Sequence, residues 1–373
     1  MEKLSHNDHI DLYRHLAFCV VGGFFGGYAV YEFENPIADD PTHPYGADFI
    51  VYGNAFWNNS EAGCIQVSKD GATWYDIAGS MYYTKSTKNA TITYTNPNPS
   101  EDKGITTAGA TSTLADVTYT LNGTEGKVTK NTFHNHSWFP LNANYFTASG
   151  SRAAMAKVDE FSFVSRTLNS DNITNTLTFT GTLLNNYPGT GKTDQIGFGY
   201  CDVHPNKTLG GTIAYNPYQT FTSSSDYDTK VAGTSGGDPI DIAWAVKPDG
   251  TPAGLSKIQY VRIYTGMAQM NGIFGEISTE VCGVAACTGT GAGKATTDLV
   301  VKRLNQPIPT ENNKAVSVAA GSFRITSAEE NVYVNGVKVT ASSGYALNVV
   351  AGKSYQIITQ SGTEAPYITV LVG

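Results

Sequence analysis

The chain has 373 residues, a formal net charge of −8 and only 15% charged residues, against about 25% in an average soluble domain. It carries no basic block that could neutralise phosphates, which argues against a nucleic-acid partner. No apolar run reaches the ~20 residues that a membrane-spanning helix needs, so no transmembrane segment is expected.

Gly, Thr, Ser, Asn and Tyr replace the missing charges. Turns use Gly and Asn, and exposed strand faces favour Thr and Tyr, so this is the composition of an extracellular β-sandwich. The length exceeds the ~100–200 residues of one typical domain, so two are expected. Residues 1–21 read as a polar N-terminal arm. Met1 is followed by EKLSHNDHIDLYRH, without the basic start and compact apolar core of a signal peptide, so the chain is expected to begin inside a longer precursor.

The sandwich domain is expected over 22–287. Tyr28 to Phe33 reads as a strand, and Asn35 to Tyr45 as a Pro- and Asp-rich loop. Gly46 to Gly79 is the best-patterned stretch. Asp48 to Tyr52 is extended, with Phe49 and Val51 on one face and Ile50 and Tyr52 on the other. Cys64 to Lys69 alternates, so Ile65 and Val67 share a face. Asp70-Gly71 suits a tight hairpin leading to a strand at Trp74 to Ile77.

Residues 85–150 read as long loops with short strands at Thr91 to Tyr94 and Val117 to Leu121. Further strands are expected at Phe161 to Val164, Asn175 to Leu184, Ile240 to Val246 and Lys257 to Thr265. A Gly-rich linker follows at 288–298. A small Ig-like β module is expected over 299–373, with a hairpin at Asn335-Gly336 and strands at Tyr345 to Val349, Ser354 to Thr359 and Tyr367 to Val372. The predicted fold class is all-β, a jelly-roll β-sandwich with long loop insertions plus that module.

The segments GGFFGGYAVYEFENPI, GADFIVYGNAF, EAGCIQVSKDGATWYDIAGS, NTFHNHSWFP, GYCDVHPN, DIAWAVKPDG and GEISTEV carry a resemblance. In this order, over Gly22 to Gly283, the chain resembles a family of bacterial cell-surface proteins in which such a segment sits beside PKD-type or other Ig-like modules. VSKDGATWYDI and KIQYVRIYT are similar to the paired strands of discoidin-like, galactose-binding-like jelly rolls. The resemblance implies export, a cell-surface setting and a β-sandwich, and it carries over no catalytic residue. The chain departs from the family at Cys19-Val20-Val21, where a Ser-Leu-Gly-Gly-like turn is usual.

The five cysteines are Cys19, Cys64, Cys201, Cys282 and Cys287. An odd count leaves at least one unpaired within the chain. Cys282 and Cys287 bracket a short loop and could close a small ring. The preferred expectation is buried small hydrophobes without a disulfide framework.

Several motif-like stretches carry little. Asn186 to Thr193 imitates a phosphate loop but lacks its first Gly and a following helix. Gly289 to Lys294 fails the same motif. Gly233 to Gly237 fits the Gly-x-Ser-x-Gly pattern at Ser235, without the strand and helix that pattern needs. His134 and His136 could share a strand face, but nothing nearby completes a metal set.

The acids and amides Asp48, Asn54, Glu61, Asp202, Asp241 and Glu276 lie at strand ends or in loops, where oxygen ligands for Ca2+ are easily supplied. Trp57, Trp138, Phe139, Tyr215 and Tyr218 lie in loop-like segments and could stack on sugar rings. Trp74 and Trp244 read as core. The expected function is an extracellular cell-surface binding or adhesion protein recognising carbohydrate or another surface protein, with calcium holding its loops. One alternative is a self-assembling surface subunit, favoured by an exposed strand edge at Ile368 to Val372. A second is a polysaccharide-active enzyme using a carboxylate pair such as Asp202 with Glu276.

Overall fold

Alternating β-branched and aromatic residues give a chain that is almost entirely strand, laid out as several mainly antiparallel sheets. The structure, a computed structural model, describes residues 2–4, 20–21, 23–40, 42–55, 60–83, 85–97, 116–129, 164–171, 174–185, 197–204, 211, 213, 237–271, 275–288, 300–303, 306–307, 314–327, 331–334, 337–351, 353–360 and 367–372. Among these, no helix is long and apolar enough to cross a membrane.

The central layer is a six-stranded sheet in the order Glu2–Leu4, Tyr28–Ala38, Lys257–Thr265, Gly63–Ser68, Tyr75–Ile77, Ala245–Val246. In its middle, Lys257–Thr265 runs antiparallel to Gly63–Ser68 with Ile263 opposite Ile65 and Val261 opposite Val67. Because side chains alternate across a strand, these four face one way. They join a core with Phe49, Val51, Ile240 and Val284 of a three-stranded sheet. Cys64 and Tyr264 face the other way, into a second core with Ile92, Tyr94, Phe179 and Leu183 of a five-stranded sheet. The six-stranded sheet is therefore covered on both faces, the arrangement of an all-β sandwich.

The three-stranded sheet has the order Asp238–Ile240, Phe49–Tyr52, Gly283–Ala286. Every residue of Phe49–Tyr52 is buried. Phe49 and Val51 point into the first core, whereas Ile50 and Tyr52 pack with Ala47 and Cys287 on the opposite face. The two-face reading of this stretch holds. The pairing continues past both ends of the strand: Cys287 N–H donates to the Asp48 carbonyl (2.8 Å) and Cys282 N–H to the Tyr52 carbonyl (2.7 Å).

Four local expectations need correction. Tyr28–Ala38 runs on through Asn35 and Pro36, because residues 33–36 bulge opposite the single residue Gln259, between the pairs Glu32–Tyr260 and Ile37–Ile258, so the pairing resumes past the proline. The Asp70-Gly71 turn is not a tight hairpin, since residues 69–74 separate the paired strands. That longer loop is held by Asp70 Oδ1, which accepts from the N–H groups of Ala72 and Thr73 (both 2.8 Å), with Gly71 at φ +72°. Trp74 lies in this loop, half-buried beneath the Arg262 guanidinium, rather than in the core. Trp244 is core, but sits in the 3-10 turn Ile242–Trp244 that interrupts the expected strand Ile240 to Val246.

The C-terminal strands form a four-stranded and a five-stranded sheet. Asn331–Val334 and Val337–Val339 pair as the predicted hairpin. Tyr367–Val372 is bonded on both sides, parallel to Lys314–Val318 and antiparallel to Ser354–Gln360. The open edge expected at Ile368 to Val372 is absent. Between them these sheets enclose their own core, including Phe323, Ile325, Val332, Leu347 and Ile357. Tyr333 and Ile358 face away from it and belong to the first sandwich core.

Candidate site: two acid clusters at the ends of one strand

Two groups of carboxylates flank the buried strand Phe49–Tyr52, one at each end. A strand rises ~3.3 Å per residue, which puts Asp48 and Gly53 on the order of 16 Å apart.

At the N-terminal end, carboxylate oxygens of Asp39, Asp48 and Asp241 lie within 4.8 Å of one another. Asp48 is fully buried and well partnered. Its Oδ1 accepts the Asp40 N–H (2.8 Å) and lies 3.3 Å from His43 Nδ1, and its Oδ2 accepts the Ile242 N–H (2.9 Å). Asp241 caps the following turn by accepting the Ala243 N–H at 2.7 Å. Burial pushes Asp39 up to about 6, helped by the charges of Asp48 and Asp40. Burial also raises Asp48, and it raises Asp241 strongly, with Asp48 and Asp39 adding to the second effect. The hydrogen bond that the His43 ring donates to Asp48 raises the imidazole, favouring its charged form beside these acids.

At the C-terminal end, oxygens of Glu61, Asp202 and Glu280 lie within 4.8 Å of one another. The chain reaches Asp202 through a left-handed turn (φ +63°), and the carboxylate ties two distant segments together. Asp202 Oδ1 accepts the Asn54 N–H (2.7 Å), and its Oδ2 accepts the Glu280 N–H (3.2 Å). This close approach is why residue 53 is glycine: a Cβ there would meet Asp202 Oδ1 and stand 2.7 Å from its Cα. Glu61 is anchored through its main chain, its N–H donating to the Asp202 carbonyl (3.2 Å) and its carbonyl accepting the Thr279 hydroxyl (2.7 Å).

Glu276 is the anomaly of this end. It is 4% exposed, and neither carboxylate oxygen accepts a hydrogen bond from another described residue. Burial pushes it up to about 8, with the Glu280 charge adding to the effect. Burial and the charge of Glu280 push Glu61 up to about 9, and Glu276 contributes to that shift as well. Asp202 is raised well above the usual carboxylate range by the same two causes. No salt bridge among the described residues reaches any of the four. Next to them, Asp238 bonds the buried His204 ring (Oδ1 to Nδ1, 2.8 Å) and accepts the Val203 and His204 N–H groups, which fixes the 201–204 turn.

The six oxygen donors expected from sequence are thus divided. Glu61 and Asp202 come together with Glu276 beside them, whereas Asp48 and Asp241 meet at the other end. Asn54 is exposed and contributes its backbone N–H. Glu280 and Asp39 were missed. Glu280 sits in the same Gly275 to Val281 motif as Glu276, and that paired-acid spacing was the available signal. Asp39 lay in a stretch read only as loop.

Cys64, Cys201 and Cys287 are free and buried, whereas Cys282 is disulfide-bonded. The small 282–287 ring is therefore not formed, and the expectation of no disulfide is corrected. The partner of Cys282 lies outside the described residues. So do the candidate aromatics Trp57, Trp138, Phe139, Tyr215 and Tyr218, and with them His134, His136, Ser235 and the stretches 186–193 and 289–294. No family model matches the chain, and no curated protein matches its sequence.

Proposed function

We propose that this chain is an exported cell-surface binding protein that recognises carbohydrate through its loop aromatics, with calcium holding the segments that frame those loops. The observation that carries the reading is the gathering of Glu61, Asp202 and Glu280, with Glu276 beside them, from segments far apart in sequence. Buried carboxylates repel one another and lose hydration, so such a group favours protons or a cation. Hard oxygen donors at strand ends suit calcium best. The disulfide at Cys282 supports an oxidising compartment, in keeping with export. The resemblance to cell-surface proteins over Gly22 to Gly283 points the same way.

The test is thermal unfolding in calcium and in excess EDTA, followed by a glycan array under both conditions. A midpoint that drops in EDTA, with glycan signals that vanish with it, supports the reading. An unchanged midpoint together with an empty array overturns it.

A further inference from the structure

We propose that Glu61, Asp202 and Glu280, with the buried Glu276 beside them, form a single calcium site at the C-terminal end of Phe49–Tyr52, and that the Asp39–Asp48–Asp241 end is a hydrogen-bonded clamp that takes no metal. The inference rests on the calcium-held surface-protein reading above and assigns its ion to one of two similar-looking places.

Spacing is the first argument. Calcium holds oxygens at ~2.4 Å, so two oxygens on one ion stand at most ~4.8 Å apart. Glu61, Asp202 and Glu280 meet that limit. So does the other cluster, and spacing alone does not choose between them.

Partnering does choose. Glu276 is buried, neither of its oxygens has a partner among the described residues, its charge acts on Glu61, and the charge of Glu280 acts on it. A carboxylate in that position lacks the hydrogen bonds that normally offset its burial, and a shared cation supplies the missing partner. Among the described residues, the fully buried acids of the other end include no such orphan, and only the half-buried Asp39 carboxylate goes without a hydrogen bond there. Asp48 accepts two backbone N–H groups and the His43 ring, and Asp241 accepts one backbone N–H. His43 also supplies a positive charge when protonated, whereas no salt bridge among the described residues serves the four acids.

The donor set also fixes the class of ion. Three gathered carboxylates with a fourth beside them, and no facing imidazole or free thiolate ligand among the described residues, suit a hard cation rather than a transition metal. Cys201, whose Sγ lies 3.7 Å from the Glu280 carbonyl, is fully buried, and burial raises its thiol strongly. Glu61 and Glu280 are only half-buried, which leaves the ion a route in from solvent.

Bound there, calcium would join three parts of the fold: the entry to Gly63–Ser68, the Asp202 turn, and Glu280–Val281. The last pairs with Val20–Val21, so the ion would also help fasten the first part of the chain.

The test is calorimetric titration of the decalcified full chain with calcium chloride, beside thermal unfolding with and without EDTA. The variants are Glu280→Gln, Glu276→Gln and Asp241→Asn. Wild type is expected to bind one calcium per chain. Glu280→Gln, which removes a ligand charge, and Glu276→Gln, which removes the charge beside the ligands, should each weaken binding by about tenfold or more. Asp241→Asn should leave it within about twofold. Glu276→Gln should also raise the midpoint in EDTA while shrinking the calcium-induced shift, a pairing that a merely structural glutamate would not give. Absence of binding heat with an unmoved midpoint in wild type overturns the site. So does calcium binding lost in Asp241→Asn and kept in Glu280→Gln. Calcium binding with an empty glycan array supports this site and overturns the sugar reading. Glycan signals that persist without any calcium binding overturn this site and leave the sugar reading standing.

Discussion

The two ends of Phe49–Tyr52 present similar acids in different company. At the Asp48 end, backbone N–H groups and His43 answer the buried carboxylates of Asp48 and Asp241, which leaves only the half-buried Asp39 facing other acids. At the Asp202 end the backbone answers Asp202, but Glu276 has no partner among the described residues, and Glu61 and Glu280 face further acids. Burial alone therefore does not identify a metal site. The deciding feature is whether the lone pairs and charge of buried acids are already satisfied.

That contrast breaks most visibly at Asp48. Asp48→Ala strands the Asp40 and Ile242 N–H groups, the latter in the interior. Each buried unsatisfied group costs ~1–3 kcal/mol, so the unfolding free energy should fall by about 3 kcal/mol. Urea denaturation should give the same loss with and without calcium. A loss that appears only with calcium would make this end the metal site.

Gly53→Ala attacks the opposite end through packing, pushing a methyl group into Asp202. Overpacking of this kind costs about 2 kcal/mol. Here the loss should be larger in calcium than in EDTA, because the Asp202 carboxylate is displaced as well. Equal losses in both conditions would remove Asp202 from the cation site.

Acidity separates the metal-free and calcium-bound states. Folding raises Glu61 from 4.5 to about 9 and Glu276 from 4.5 to about 8, so the folded state binds the extra protons. Their contribution is fully present below the unfolded value of 4.5 and is lost as pH rises through the folded values. In EDTA the midpoint should therefore fall between pH 5 and pH 9, roughly the interval between those unfolded and folded values. With calcium the fall should be reduced, since the ion replaces the protons. Parallel pH profiles in the two conditions would contradict the assignment.

Asp241→Asn should have the smallest effect. The amide oxygen still caps the Ala243 N–H, while a carboxyl whose charged form is disfavoured by burial and by Asp48 and Asp39 is replaced by a neutral amide. The unfolding free energy should change by less than about 1 kcal/mol, toward greater stability. The Asp39 carboxyl, pushed up to about 6 by burial and by the charges of Asp48 and Asp40, should keep its titration, as checked by carbon-13 NMR of its side chain.

Local alternation made much of the fold legible. Phe49, Val51, Ile65 and Val67 read as one buried set because side chains of a strand change face at every residue, and all four belong to the first core. Asn335-Gly336 marked its hairpin because positive φ is easy for those residues. The Tyr28 strand reads as ending at Phe33 because its pairing resumes only beyond its own bulge at residues 33–36, on a partner more than 200 residues away.

The sequence by itself determined an all-β chain, the positions of many strands and the presence of acids at their ends, since each of these depends on neighbours within a few residues. Only the tertiary structure decided which acids meet. Glu61, Asp202 and Glu280 come together because Glu280–Val281, the Asp202 turn and the entry to Gly63–Ser68 converge at one end of Phe49–Tyr52. Whether each carboxylate there has a partner was likewise invisible in sequence, because the N–H groups that satisfy Asp48 and Asp202, and fail to satisfy Glu276, are delivered by sheet pairing and turns between distant segments.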